Sequence, residues 1–196
     1  MSIKRIYLTL LTQTSKKNQL KILDIRNEEN VRKWMYTEHP IKESEHLNWI
    51  EYLKSSDKQM VFSVLDENNI PLGVVSLNAI DKLHKKADWA YYLSSDARGG
   101  LGSVLEYYFI DFIFNSLDIE KLNCEVIEGN DTVVKLHKKF IFENEGFRES
   151  DLIKNNKRIG IHFLGLKKEN WQNGKETIYN KYSKIFDKFE VKINYN

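Results

Sequence analysis

A glycine-rich turn near the middle of the chain has the composition of an anion-binding site. It follows residues 87–93, a segment dense in aromatic and apolar side chains that is typical of a β-strand, and it precedes residues 101–112, whose apolar side chains recur at helical spacing. Gly99, Gly100 and Gly102 allow several backbone N–H groups to approach one anion, and the start of the helix adds partial positive charge. Phosphate is the expected ligand, unless the glycines only end one element and begin the next.

Two histidines are candidates for proton transfer. His137 shares a predicted helical face with Leu136 and Phe140, and His46 shares another with Trp49. A histidine with a pKa of about 6.5 can donate a proton near neutral pH if its cationic form is retained. The alternative for both is a buried, hydrogen-bonded histidine of the core.

Other side chains suit the binding of a phosphorylated ligand. Arg26 can hold a phosphate through two parallel hydrogen bonds, and its alternative is a surface ion pair. Trp34, Tyr36 and Trp89 offer flat surfaces to a base or a sugar, although large aromatic side chains at such spacings are more often part of the core.

The order of predicted elements indicates a mixed α/β (α+β) sheet. Predicted strands cover residues 6–11, 61–65, 72–77, 87–93, 122–126, 142–151 and 158–166, and predicted helices cover 18–26, 28–35, 44–53, a segment from 101, and 131–140. Antiparallel strands early in the chain are followed by alternating strands and helices, which is the pattern of a sheet covered by helices.

The composition excludes several classes of protein. The chain has 196 residues, 41% of them hydrophobic, which suffices for the core of one domain. Lysine and arginine total 30 against 28 acidic residues, a balance that argues against nucleic-acid binding. No apolar run reaches about 18 residues, so we expect no membrane segment and a cytoplasmic protein. Cys124 is the only cysteine, which excludes a disulfide framework, and no metal site is expected.

The last residues of the chain have a pattern of their own. Apolar side chains fall at helical spacing among lysines, at Ile178, Tyr182, Ile185, Phe186 and Phe189. We therefore expect a domain over residues 1–171 and an amphipathic helical appendage over residues 172–196. The appendage would pack back on the domain or on a second copy of the chain, as in a homodimer.

The glycine-rich turn resembles the acyl-CoA-binding loop of the GNAT N-acetyltransferase superfamily, Gln/Arg-x-x-Gly-x-Gly/Ala. Gly100-Leu101-Gly102 matches its end, whereas Ala97 stands at the Gln/Arg position with Arg98 one place later. Downstream, the chain is similar to the family pattern Asn-x-x-Ala-x-x-Leu-Tyr-x-Lys-x-Gly-Phe. The matching positions are Asn130, Leu136, Lys139 and Phe142, while Val133, His137 and Ile141 replace Ala, Tyr and Gly. The resemblance covers residues 5–167 and implies a mixed, mostly antiparallel sheet of about seven strands flanked by helices.

The same resemblance implies acetyl-CoA as co-substrate and assigns residues to it. Backbone N–H groups of the strand that ends near Leu93 would polarise the thioester carbonyl. The pyrophosphate would be held at Arg98, Gly99, Gly100, Leu101, Gly102 and Ser103, with Asn130 and Lys139 also on the cofactor side. His137 stands where the family has the tyrosine that meets the leaving thiolate, so it is the expected general acid.

The first third of the chain is similar to PseH-type enzymes, which acetylate the 4-amino group of a UDP-linked amino-dideoxy sugar in pseudaminic acid biosynthesis. The similar stretches are Arg26-Asn27, residues 31–36, His46-Leu47 and Ile50. This likeness implies that the substrate pocket includes Arg26, Trp34, Tyr36, His46, Asn78 and Trp89, with His46 also able to accept a proton through water. The alternatives are a RimJ/RimL-like acetyltransferase of a protein N-terminus or small amine, and a degenerate CoA-binding module without turnover.

Overall fold

An eight-stranded β-sheet forms the centre of the computed structural model, which describes residues 3–97 and 99–195. The strands are β1 Lys4–Leu10, β2 Met60–Leu65, β3 Pro71–Asp81, β4 Lys86–Leu93, β5 Lys121–Ile127, β6 Glu143–Lys154, β7 Lys157–Lys167 and β8 Phe189–Asn194. The helices are α1 Lys16–Asn27, α2 Glu29–Arg32, α3 Glu43–Leu53, α4 Leu101–Ser116, α5 Asp131–Lys139 and α6 Lys168–Phe186.

The sheet is mostly antiparallel. Its strand order is β6-β7-β5-β4-β3-β2-β1-β8, and within the described chain only the β4–β5 and β1–β8 pairs are parallel. The predicted mixed sheet flanked by helices is confirmed, with eight strands where about seven were expected. None of the described helices has the length and apolar character needed to cross a membrane.

The two halves of the sheet meet at a short parallel ladder between β4 and β5. The paired residues are Lys86 with Lys121, Ala87 with Leu122 and Asp88 with Asn123. At the last pair, the Asn123 side-chain amide donates a 3.0 Å hydrogen bond to Asp88. Beyond this point β4 stays paired with β3, and β5 stays paired with β7, so the two strands separate and the sheet opens.

Helix α4 packs its apolar side against one face of the sheet. Val104, Leu105 and Phe109 have no exposed surface, and the Phe109 ring meets the ring of Phe62 on β2 edge to face, with centroids 5.5 Å apart. Burial of this face stabilises α4, since helices in proteins depend on tertiary packing. The first turn of α4 is thereby fixed beside the end of β4.

The C-terminal residues belong to the same sheet and core. Strand β8 pairs in parallel with β1, from Lys4 opposite Phe189 to Thr9 opposite Asn194. Trp171 and Phe186 on α6 are fully buried in the main hydrophobic cluster. The expectation of a helical appendage over residues 172–196 is therefore corrected. The helix begins earlier, at residue 168, and residues 189–194 form a strand, because their apolar side chains also serve a sheet edge.

Replacing Phe186 with alanine tests this packing. The ring contacts those of Tyr107 and Phe140, at centroid distances of 4.8 and 6.5 Å. We expect Phe186→Ala to lower the free energy of unfolding by about 3–5 kcal/mol, measured by chemical denaturation. Tyr52→Ala, at a side chain that is 55% exposed, is the control and should change it by less than about 0.5 kcal/mol. Equal effects of the two substitutions would show that α6 is not part of the core.

Candidate active site

A cavity of about 730 Å³ lies where β4 and β5 separate. Its size is in the range of small-molecule sites. Residues 88–93 of β4 and 124–127 of β5 form two of its walls, and residues from the α1–α2 region and from α5 close it. The end of the short parallel ladder therefore creates the cavity.

Eight of the sixteen residues predicted for the site line this one cavity. They are Arg26, Trp34, Tyr36, Asn78, Trp89, Leu93, Asn130 and His137. Residues separated by more than 100 positions in the sequence thus meet in one place. Trp89 is nearly fully buried and stacks on Tyr91 with centroids 5.2 Å apart, so it belongs to both the core and the cavity wall.

His137 occupies the position expected of a proton donor. It lies on α5, is 3% exposed and lines the cavity. Its Nδ1 is 2.6 Å from a carboxylate oxygen of Glu106 on α4. Because that nitrogen is occupied, Nε2 is the ring nitrogen available to a molecule in the cavity.

His46 is not part of the cavity. It is 3% exposed, and its Nε2–H donates a 2.9 Å hydrogen bond to the backbone oxygen of Gln19, which ties α3 to α1. Burial lowers the pKa of His46, which favours its neutral form. The prediction that His46 contacts substrate or accepts a proton is therefore wrong in this structure. The apolar helical face that it shares with Ile50 serves the core.

Two carboxylates that the sequence did not single out as site residues line the cavity. Asp88 lies at the end of the β4–β5 ladder, and Glu125 lies two residues past the ladder on β5. The Tyr36 hydroxyl donates a hydrogen bond to Glu125. Partial burial raises the pKa of Tyr36, and the bond to Glu125 raises it further. The only sequence signal for Glu125 is its polar position between buried Cys124 and Val126 in an alternating strand.

Arg26 brings a positive charge to the opposite part of the cavity lining. It is half-buried at the end of α1, and its Nη1 is buried with no hydrogen-bond partner among the described residues. Burial lowers the pKa of Arg26, while Tyr92 acts in the opposite direction. A buried, unpaired guanidinium N–H favours an anionic ligand beside it.

The glycine-rich turn begins α4 in a left-handed conformation. Gly99 and Gly100 have φ values of +80° and +88°, a region that favours glycine. A Cβ at Gly100 would lie 2.8 Å from the Ile185 side chain, so the space also requires glycine. Among the side chains that the structure describes, none caps the start of α4. Its first N–H groups, which lack intrahelical partners, are therefore available to an anion.

Not every residue assigned to the cofactor lies at the cavity. The Leu101 side chain is buried in the core, so only its backbone is available to a ligand. Lys139 is exposed at the end of α5 and does not line the cavity. Ser103 is half-buried in the first turn of α4. The prediction for Arg98 lies outside the described residues.

Glu28 fixes the segment that leads from β4 to the glycine turn. Its carboxylate accepts a 2.9 Å hydrogen bond from the Ser94 hydroxyl and another of 2.9 Å from the Ser95 backbone N–H. Partial burial is the largest single influence on Glu28 and acts to raise its pKa. The hydrogen bonds from Ser95 and Ser94 act in the opposite direction, and the pKa of Glu28 is lowered overall. No sequence motif marks this contact, because 66 residues separate its partners.

The family model of the acetyltransferase (GNAT) domain matches residues 5–143. The chain belongs to the GNAT acetyltransferase family. The family predicted from the glycine turn and from the Asn130 pattern is thereby confirmed.

Solved structures of GNAT proteins show the same fold. A spermidine N-acetyltransferase from Vibrio cholerae, crystallised with CoA and spermine, has a TM-score of 0.78 at 18% identity and covers 86% of this chain and 98% of its own. A GCN5-related N-acetyltransferase from Brucella melitensis has a TM-score of 0.71 at 17% identity and covers 88% of this chain and 80% of its own.

As a GNAT enzyme, this protein is an acetyl-CoA-dependent acyltransferase, as the sequence predicted. Acetyl-CoA supplies the acetyl group as a thioester. Two features of the chain fit acetyl-CoA. The start of α4, where no described side chain caps the helix, offers N–H groups to the pyrophosphate. The inner edge of β4 beyond Asp88, which ends at Leu93 and is not paired with β5, offers backbone groups to the thioester arm. Asn130, at the start of α5, lies on the facing wall.

Substitution of Glu28 tests how the GNAT turn is held. We expect Glu28→Gln to weaken CoA binding about fivefold to tenfold in a calorimetric titration, because charged hydrogen bonds to Ser94 and Ser95 are lost. Glu29→Gln, at the exposed neighbouring residue, is the control and should bind CoA normally. Unchanged affinity in Glu28→Gln would show that the turn does not need this anchor.

The same carboxylate predicts a pH dependence. Its pKa is lower in the folded chain than the value of about 4.3 expected unfolded. The ionised Glu28 carboxylate therefore makes its full contribution to the free energy of unfolding above the unfolded pKa. That contribution is lost as the pH falls through the lower folded pKa. Unfolding measurements should show a smaller loss of stability on acidification for Glu28→Gln than for the unmodified protein.

Proposed function

We propose that this enzyme transfers the acetyl group of acetyl-CoA to the 4-amino group of a UDP-linked amino-dideoxy sugar, in the cytoplasmic synthesis of pseudaminic acid. The observation that carries the proposal is the charge distribution of the cavity. Arg26 offers an unpaired buried N–H, while Asp88 and Glu125 offer carboxylates. A substrate that carries both an anion and an amine satisfies both sets of groups.

The uncharged part of the lining supports a sugar nucleotide. Trp34, Tyr36 and Asn78 line the same cavity, and flat aromatic faces beside polar groups suit sugars and bases. Asn78 is held in place, because its oxygen accepts a hydrogen bond from Gln59 and its amide donates to Ser76. These residues are those implied by the likeness to PseH-type enzymes.

The chemistry needs a neutral amine, a polarised thioester and a proton for the leaving thiolate. Asp88 and Glu125 are placed to take the proton of the incoming ammonium, directly or through water. The unpaired N–H groups of β4 beyond Asp88 are the donors for the thioester oxygen. Nε2 of His137 then protonates sulfur as the C–S bond breaks.

A small polyamine is the second candidate substrate. Several solved structures of similar fold carry the name spermidine or spermidine/spermine N-acetyltransferase, and Asp88 with Glu125 would attract an ammonium group. The Arg26 guanidinium, however, would repel a polycation that lacks an anionic group. A RimJ/RimL-like activity on peptide N-termini and a module that binds CoA without turnover are the remaining alternatives.

A substrate panel distinguishes these functions. Purified protein is incubated with acetyl-CoA and the UDP-4-amino sugar, spermidine or a peptide amine, and free thiol is measured. We expect the highest kcat/KM with the sugar nucleotide. Turnover of spermidine or peptide alone would contradict the proposal, and CoA binding without turnover of any amine would support the degenerate module.

Arg26→Met tests the anion contact. We expect the KM for the sugar nucleotide to rise about tenfold or more while the KM for acetyl-CoA is unchanged, because only the former meets Arg26. Arg5→Met removes an exposed arginine paired with Glu190 and serves as the matched control. If both variants have the same KM for the sugar nucleotide, Arg26 is not its ligand.

Variants of His137 test the proton donor. We expect His137→Phe and His137→Gln to lower kcat about a hundredfold near neutral pH, which is a usual magnitude for loss of a general acid. The glutamine keeps a hydrogen-bond donor toward Glu106 and controls for disruption of the core. An unchanged rate in either folded variant would rule out the assignment.

A further inference from the structure

A buried acidic side chain lies directly behind His137. Glu106, on the inner side of α4, has 0% of its side chain exposed, and one carboxylate oxygen is 2.6 Å from Nδ1 of His137. Its other oxygen is buried and has no hydrogen-bond partner among the described residues. The pair joins α4 to α5 on the side of His137 that faces away from Nε2.

The fold itself does not explain a carboxylate at this position. Val104, Leu105 and Phe109 surround it along the helix and are fully buried, so position 106 lies in an apolar core. Burying a carboxylate with one unsatisfied oxygen is unfavourable, and burial raises the pKa of Glu106 while His137 opposes that effect. An apolar side chain at this position would avoid that cost of desolvation.

The hydrogen bond to Glu106 fixes the orientation of the imidazole ring and keeps a proton on Nδ1. A carboxylate accepts the Nδ1–H, which orients Nε2 toward the cavity. Three rings hold the imidazole in place: Trp89, Tyr91 and Phe142, at centroid distances of 6.0, 6.4 and 5.2 Å. The ring therefore has little freedom to turn either nitrogen elsewhere.

We propose that Glu106 is a positioning residue that holds His137 as a cation with Nε2–H directed at the leaving thiolate. This inference rests on the proposed proton-donor function of His137. When the thioester C–S bond breaks, sulfur keeps the electron pair and takes the Nε2 proton. Nδ1–H remains bonded to the Glu106 carboxylate, so the product is a neutral imidazole. The amine nitrogen loses its proton as the amide forms, and a proton from that source or from water restores the cation.

The other groups around the pair stay neutral through the proposed step. Tyr91 faces it from β4 and Cys124 from β5, and burial raises the pKa of both, with Glu106 adding to each shift. Asp88 lies on the β4 wall, on the amine side of the cavity.

Glu106→Leu and Glu106→Gln test the proposal. We expect kcat to fall at least tenfold in both, with the KM for acetyl-CoA unchanged within twofold. The basic limb of the kcat–pH profile should move to lower pH, because the carboxylate no longer stabilises the imidazolium. Thermal unfolding of both variants is measured alongside, so that a loss of kcat in a folded protein is separated from loss of the fold. A folded Glu106→Leu with normal kcat and an unchanged pH profile would overturn the proposal.

Asp111→Asn is the matched control on the same helix. Asp111 accepts a 3.0 Å hydrogen bond from Trp171 and a 2.7 Å bond from Lys175, and it does not line the cavity. We expect this variant to lose stability while its kcat–pH profile stays unchanged. The same shifted profile in Asp111→Asn would assign the effect to α4 in general, against the proposal.

A readout without substrate separates this inference from the proposed function. Nitrogen NMR of labelled His137 should show a proton on Nδ1, in the hydrogen bond to Glu106. In Glu106→Leu, the neutral ring should shift toward the Nε2–H form. An unprotonated Nδ1 in the unmodified protein would contradict the proposed role of Glu106, whichever amine the enzyme accepts.

Discussion

The site depends on the early end of one strand ladder. Strands β4 and β5 pair at only three positions and separate after Asp88 and Asn123. Because each strand stays bonded to its outer neighbour, the gap between them remains open without loss of the sheet. It exposes an unpaired edge of β4, and residues of α5 and of the α1–α2 region close the cavity that results. In the proposed mechanism, this opening positions the acyl donor, the amine and the proton donor.

Charges that the fold leaves unsatisfied are concentrated around that opening. The buried Nη1 of Arg26 and the second oxygen of Glu106 lack partners within the described chain. Each such group is unfavourable for folding, so its presence is best explained by the substrate or by catalysis. In the proposed mechanism, Arg26 binds the anionic part of the substrate, and Glu106 orients His137 for proton transfer. Specificity and proton transfer thus use different walls of one site.

Local sequence signals predicted the elements well, because hydrophobic periodicity and glycine content report directly on strands, helices and the turn at Gly100. Resemblances to known families also predicted Arg26 and His137 as site residues, and both line the cavity. They could not reveal contacts between distant positions, such as Glu28 with Ser94 or Glu106 with His137, since neither partner has a distinctive neighbourhood in the chain. His46 was misassigned because an apolar helical face looks the same whether it lines a pocket or packs in a core.

The most direct test is a crystal structure with CoA and the UDP-4-amino sugar bound together. The account predicts a phosphate oxygen about 3 Å from the Arg26 guanidinium, with the sugar amine beyond the end of the β4–β5 ladder, near Asp88 and Glu125. It also predicts the sulfur of CoA within hydrogen-bond distance of Nε2 of His137. A nucleotide bound elsewhere, with Arg26 free of any phosphate, would contradict it.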